Sequence, residues 1–124
     1  MVIHKTFADF VLFLYIHMAH ADGEFHPLEE KEILLKIPKL FPGLSDMNAK
    51  LQSALTEYRA VAPASLPQLI RDTFNHFSTV KFAQKYKVYT DMYDIINADG
   101  KVDERETVAL AALKEIIDLN AHQQ

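Results

Sequence analysis

Ala21-Asp22-Gly23-Glu24-Phe25-His26-Pro27-Leu28-Glu29 returns 77 positions later as Ala98-Asp99-Gly100-Lys101-Val102-Asp103-Glu104-Arg105-Glu106. The shared pattern is Ala-Asp-Gly-x-apolar-x-x-x-Glu. A long apolar segment of helical periodicity precedes each copy, and another apolar segment follows it. Val11 and Val88, and Met18 and Ile95, keep the same offset. This repetition predicts a duplicated helix–loop–helix. The halves are expected to pack about a pseudo-twofold axis, with loops 21–27 and 98–103 side by side.

Much of the motif reads as helix punctuation. Gly23 and Gly100 stand where a helix C-terminus favours a left-handed residue. Glu29 and Glu106 lie three residues beyond the candidate N-caps His26 and Asp103, the capping-box position. Asp22 and Asp99 need a further reason. An acid in the last turn of a helix opposes its dipole at a cost of a few tenths to about 1 kcal/mol. A calcium loop is the first candidate, since Asn97, Asp99, Asp103 and Glu106 follow the second part of an EF-hand. Its opening ligand position holds Ile95, however, and Met18 in the other copy. A standard EF-hand is excluded.

Working outward, residues 3–21 predict a first helix, apolar on nearly every side and therefore central in a bundle. Its run Phe10–Ile16 is far shorter than the ~20 residues of a membrane span. Asp9 before it and His17 and His20 at its end argue against a signal peptide. A second helix is expected over 27–37, with Pro27 in its first turn and Pro38 stopping it. Phe41-Pro42-Gly43 forms a turn. Ser45 is the expected N-cap of a third helix carrying Met47, Leu51, Leu55 and Tyr58. Val61-Ala62-Pro63-Ala64 reads as a joint, and Ser65 with Gln68 as the capping box of a fourth helix facing inward through Leu66, Leu69, Ile70, Phe74 and Phe77. A fifth helix over 80–97 sets Phe82, Tyr86, Tyr89, Tyr93 and Ile96 in an inner stripe. Asp103 caps a sixth over 104–119, expected to bury Val108, Leu110, Leu113, Ile116 and Ile117. The expectation is all-α: one domain over 1–124, a bundle of about six helices.

Composition narrows the function classes. The 124 residues contain no cysteine, which excludes a disulfide scaffold, thiolate zinc sites, iron–sulfur ligation and a cysteine nucleophile, and is compatible with a cytoplasmic location. The net charge of −4 is uneven. Windows 22–32 and 91–106 hold 11 of the 17 acids but 3 of the 13 bases, and the rest of the chain is mildly basic. No basic footprint for nucleic acid is present. Lys81, Lys85 and Lys87 read as a solvated face. No phosphate-binding glycine loop, nucleophile–base pair or dinucleotide fingerprint occurs.

The doubled Asp-Gly-x-apolar-x-x-x-Glu motif between apolar helices resembles the TerB-like tellurite-resistance family over most of the chain. That resemblance implies a helical, internally symmetric domain whose acidic loops meet on one surface. It also implies a role in bacterial stress or chemical defence, with metal binding suspected and catalysis not established. Position by position, the family's acidic residues fall on Asp22 and Glu29, and on Asp99 and Glu106. His26 departs from this symmetry, standing where the second copy has Asp103. The N-terminal domain of membrane-anchored DnaJ-like co-chaperones is similar too, but no J-domain or anchor is read here.

The candidate cation ligands are thus Asp22, His26, Glu29, Asp99, Asp103 and Glu106. Calcium, magnesium or manganese suits such oxygens better than zinc does. His17 and His20, three residues apart, are a second candidate set that could join a carboxylate on zinc, nickel or copper, although histidines at a helix end are ordinary. The expected function is a non-enzymatic stress-response module whose acidic face holds a divalent cation or docks a protein partner. Two alternatives remain, a co-chaperone-like interaction domain and a metal-dependent enzyme. The enzyme would show a cleft lined by His17, His20 or His26.

Overall fold

The computed structural model describes residues 6–20, 27–77, 80–97 and 104–122, and the side chains of all these except Phe82 and 116–122. Helix α1 (Phe7–Ala19) starts where the Thr6 hydroxyl accepts the Asp9 backbone N–H at 3.2 Å. Every residue from Phe10 to Ile16 is buried, as are Met18 and Ala19. Such a helix can only sit in the middle, and α1 packs against α2 (Pro27–Leu40), α3 (Met47–Ala60), α5 (Phe82–Ile96) and α6 (Glu104–His122). The remaining helix, α4 (Leu66–His76), packs on α6 and brings Leu69, Ile70 and Phe74 into the core. Phe10 meets the Phe74 ring edge-on at 5.0 Å. Six α-helices and no strand are found among the described residues, so the all-α expectation is met.

Several helix ends differ from the sequence reading. Pro38 does not stop α2, which runs two residues further, to Leu40. Proline removes only one N–H, and this close to a C-terminus one missing bond is tolerated. Pro42 and Gly43, at φ +89°, then make the turn, with the Leu44 N–H donating to the Phe41 carbonyl at 3.2 Å. Asp46 rather than Ser45 caps α3, accepting the Ala49 N–H at 2.9 Å. Ser65 makes no capping bond because residues Pro63–Ser65 already form a 3-10 turn leading into α4. Gln68 instead donates to Asp72 at 2.7 Å.

The phase of α5 is the larger correction. Its buried positions are Lys85, Val88, Met92, Ile95 and Ile96, while Tyr86 and Tyr93 are exposed and Tyr89 is half-buried. A buried tyrosine must find a partner for its hydroxyl, whereas Val88, Met92 and Ile95 carry no such demand. Lys85 is fully buried and therefore does not belong to a solvated face with the exposed Lys81 and Lys87. Among the described side chains of α6, Glu106, Leu110 and Leu113 are buried and Val108 is 64% exposed, while Ile116 and Ile117 lie outside them. Over its described side chains this helix turns only a narrow stripe inward. Met47, at the start of α3, is exposed for the same reason.

Candidate functional site

The repeated motif joins α1 to α2 and α5 to α6, and the flanking helix ends match residue for residue. α1 ends at Ala19 and α5 at Ile96; α2 begins at Pro27 and α6 at Glu104. Both intervals equal the 77-residue repeat of the sequence. The two C-caps, His20 and Asn97, share one backbone conformation, φ −93° and ψ 0°. Their side chains act alike as well. The His20 Nδ1 bonds the Ile16 carbonyl at 2.8 Å, and the Asn97 Nδ2 donates to the Tyr93 carbonyl at 2.8 Å. Each is a second bond to a carbonyl that already accepts the backbone N–H of the same C-cap residue, at 3.1 Å for Ile16 and 3.2 Å for Tyr93. Since a carbonyl only accepts, the proton of a neutral His20 ring sits on Nδ1 and its basic lone pair on Nε2.

Glu29 and Glu106 are each the third residue of their helix, where a capping-box glutamate belongs. Both are buried, at 1% and 2% exposure. A carboxylate near a helix N-terminus is favoured by the dipole, which offsets part of the cost of removing it from water. Both residues take part in polar interactions; in each, the Oε2 atom accepts no hydrogen bond among the described residues. Asp22, His26, Asp99 and Asp103, with Gly23, Gly100 and Glu24, lie outside the described residues. So does the expected meeting of loops 21–27 and 98–103. Among the described residues, no group of three His, Asp or Glu side chains is placed to hold a metal ion.

The histidine pair is organised around Tyr58, which the sequence assigns to the third helix without linking it to either histidine. Tyr58 of α3 puts its hydroxyl 3.1 Å from the His17 Nδ1, and its ring centre lies 5.0 Å from that of His20. Burial, reinforced by the nearby His20, pushes the His17 pKa down to about 4, so the ring is neutral at neutral pH. Burial also raises the Tyr58 pKa. His17 borders a cavity of about 170 Å³ between α1, α4 and α6, walled mainly by Pro67, Ile70, Ala109 and Leu113. An open hollow beside it reaches Glu104, Arg105 and Val108. A cleft touching a histidine therefore exists, but the described residues bring no metal-ligand set into it.

The acidic windows are partly neutralised. Lys36 of α2 is buried, with its Nζ 3.4 Å from Glu32, 3.6 Å from Asp91 and 3.5 Å from Asp94. Asp91 also accepts the Tyr15 hydroxyl at 3.0 Å and faces the Lys87 Nζ at 3.3 Å. Burial and the Asp91 charge raise the Tyr15 pKa, which keeps the phenol protonated as the donor. Two acids that the sequence counted toward an acidic patch, Asp91 and Asp94, thus anchor α2 and α1 to α5, while Glu32 pairs with Lys36 within α2. No signal in the sequence pairs Lys36 with Asp91 across 55 residues.

A family model described as tellurite resistance protein TerB matches residues 8–124, nearly the whole chain. No curated protein and no solved structure shows significant similarity to it. With the match extending across all six helices and both copies of the Asp-Gly motif, the chain belongs to the TerB family.

Proposed function

We propose that this TerB-family chain is a non-enzymatic module of bacterial chemical defence that binds a divalent cation through its two Asp-Gly loops. The observation that supports the reading most is the matched pair of joints. Two connections of equal length leave helices through the same C-cap conformation and enter the next helix with a buried glutamate at its third position. In this reading Glu29 and Glu106 are inward anchors that hold each loop on its helix. Asp22 and Asp99 supply the cation ligands, with Asp103 and His26 as flanking donors. Oxygen ligands of this kind suit calcium, magnesium or manganese and would supply affinity without redox chemistry.

Calorimetric titration of chelator-stripped protein tests this directly. Millimolar calcium, magnesium or manganese should raise the melting temperature of the wild type and leave that of Asp22→Asn/Asp99→Asn unmoved. Equal shifts in both proteins, or none in either, would reduce the carboxylates to helix caps. An acidic surface for a basic protein partner would then be the reading to pursue.

A further inference from the structure

A further hollow is bounded by described residues. It is a cavity of about 300 Å³ between α1, α2 and α5, at the lower end of the size range of small-molecule sites. Its floor is apolar: Phe7, Ala8 and Val11 from one helix, Leu40 from the second and Val88 from the third. It is also lined by three lysines, Lys36, Lys39 and Lys87, by one carboxylate, Asp91, and by the polar side chains of Tyr15 and Gln84. These charges are not equivalent. Lys36 is balanced by Glu32, Asp91 and Asp94, and Asp91 is shared between Lys36, Lys87 and the Tyr15 hydroxyl. Lys39 makes no ion pair among the described residues, and the Lys87 side chain is 68% exposed. Both ammonium groups end long stems that can swing over the cavity mouth.

We infer that this cavity binds a small amphipathic anion, a medium-chain carboxylate, with its apolar tail on the Phe7–Val11–Val88 floor and its headgroup between Lys39 and Lys87. Lys39, which makes no ion pair among the described residues, and the largely exposed Lys87 select the sign of the headgroup. The apolar side chains of Phe7, Ala8, Val11, Leu40 and Val88, against the single amide of Gln84, favour an apolar tail over a sugar or a nucleotide. Tyr15, Asp91 and Lys36 have their own bonds already made, so they offer the ligand shape rather than charge. The inference uses no residue of the Asp-Gly motif and does not rest on the motif holding a cation.

Octanoate is the probe, with 1-octanol and octylammonium as controls of matched chain length. Calorimetry on the full chain should show octanoate binding at least tenfold more tightly than octanol, and no binding of octylammonium. Lys39→Glu/Lys87→Glu should weaken octanoate at least tenfold while leaving octanol unchanged. Ala8→Phe, which fills the floor, should abolish both. Equal binding of octanol and octanoate would overturn the inference, as would absence of octanoate binding at millimolar concentration or binding undiminished in Ala8→Phe. The rim variant changes exposed side chains only, so its far-UV circular dichroism should match the wild type if Ala8→Phe fails to fold.

Discussion

The two helix pairs that flank the Asp-Gly motif share matching helix ends and differ in what their first helices do. α1 is buried from Phe10 to Ile16 with no exposed face in that run, whereas α5 buries Val88, Met92, Ile95 and Ile96 and exposes Tyr86 and Tyr93. The repeat aligns Ile16, fully buried, with Tyr93, 54% exposed. It aligns His17, facing Tyr58, with Asp94, which lies on Lys36. Yet the C-caps that follow are the same in backbone and in side-chain bonding. Joint geometry is a local property, set within a few residues of the helix end. Burial is a property of position in the bundle, and the two copies occupy different positions.

The aligned pair Ile16 and Tyr93 offers the strongest way to break this comparison. Ile16→Ala should cost about 2–5 kcal/mol by leaving a cavity in the centre of the core. Tyr93→Ala should stay within about 0.5 kcal/mol because the ring is largely in water. Urea denaturation of both variants measures the contrast, and similar losses would mean that the halves carry equal shares of the core.

Acid titration sharpens it next. The His17 pKa in the folded chain lies near 4, below its ordinary 6.5, so the unfolded chain takes up the proton first. Stability from this group is complete above about pH 6.5 and is lost progressively as the pH falls toward 4. The loss there is on the order of 3 kcal/mol. In His17→Gln that segment of the stability–pH curve should flatten; an unchanged slope would assign the acid sensitivity to other groups.

The smallest effect probes what the copies share. Glu29→Ala and Glu106→Ala should each cost about 1–3 kcal/mol, the range for removing a buried group that serves a helix start. The two costs should agree to within about a factor of two. A loss confined to Glu29 would show that only the first joint depends on its glutamate.

How much could be read in advance follows from the range of the interactions. The centrality of α1 was legible because seven consecutive apolar residues leave a helix no polar side. The joints were legible because Ala-Asp-Gly and the glutamate three residues into the next helix are short-range signals. Phase in α5 was not. Tyr86, Tyr89 and Tyr93 have the same helical spacing as Lys85, Val88, Met92 and Ile95, so periodicity offers two faces and no choice between them. Val108 misled likewise, since α6 is apolar on more sides than its neighbours cover. The ligand positions Asp22, His26, Asp99 and Asp103 were legible as a pattern, and their geometry lies outside the described residues.

Sequence alone determined the all-helical class, the duplicated helix–loop–helix and the order in which helices are joined. Each of these depends on residues close together in the chain, where backbone hydrogen bonding and apolar periodicity act. Only the tertiary structure decided which face of α5 turns inward, that Tyr58 sits against two histidines, and that Lys36 draws Glu32, Asp91 and Asp94 together. Those outcomes depend on which distant side chains compete for the same dry space. An apolar or charged residue acquires its role there only once its neighbours are in place.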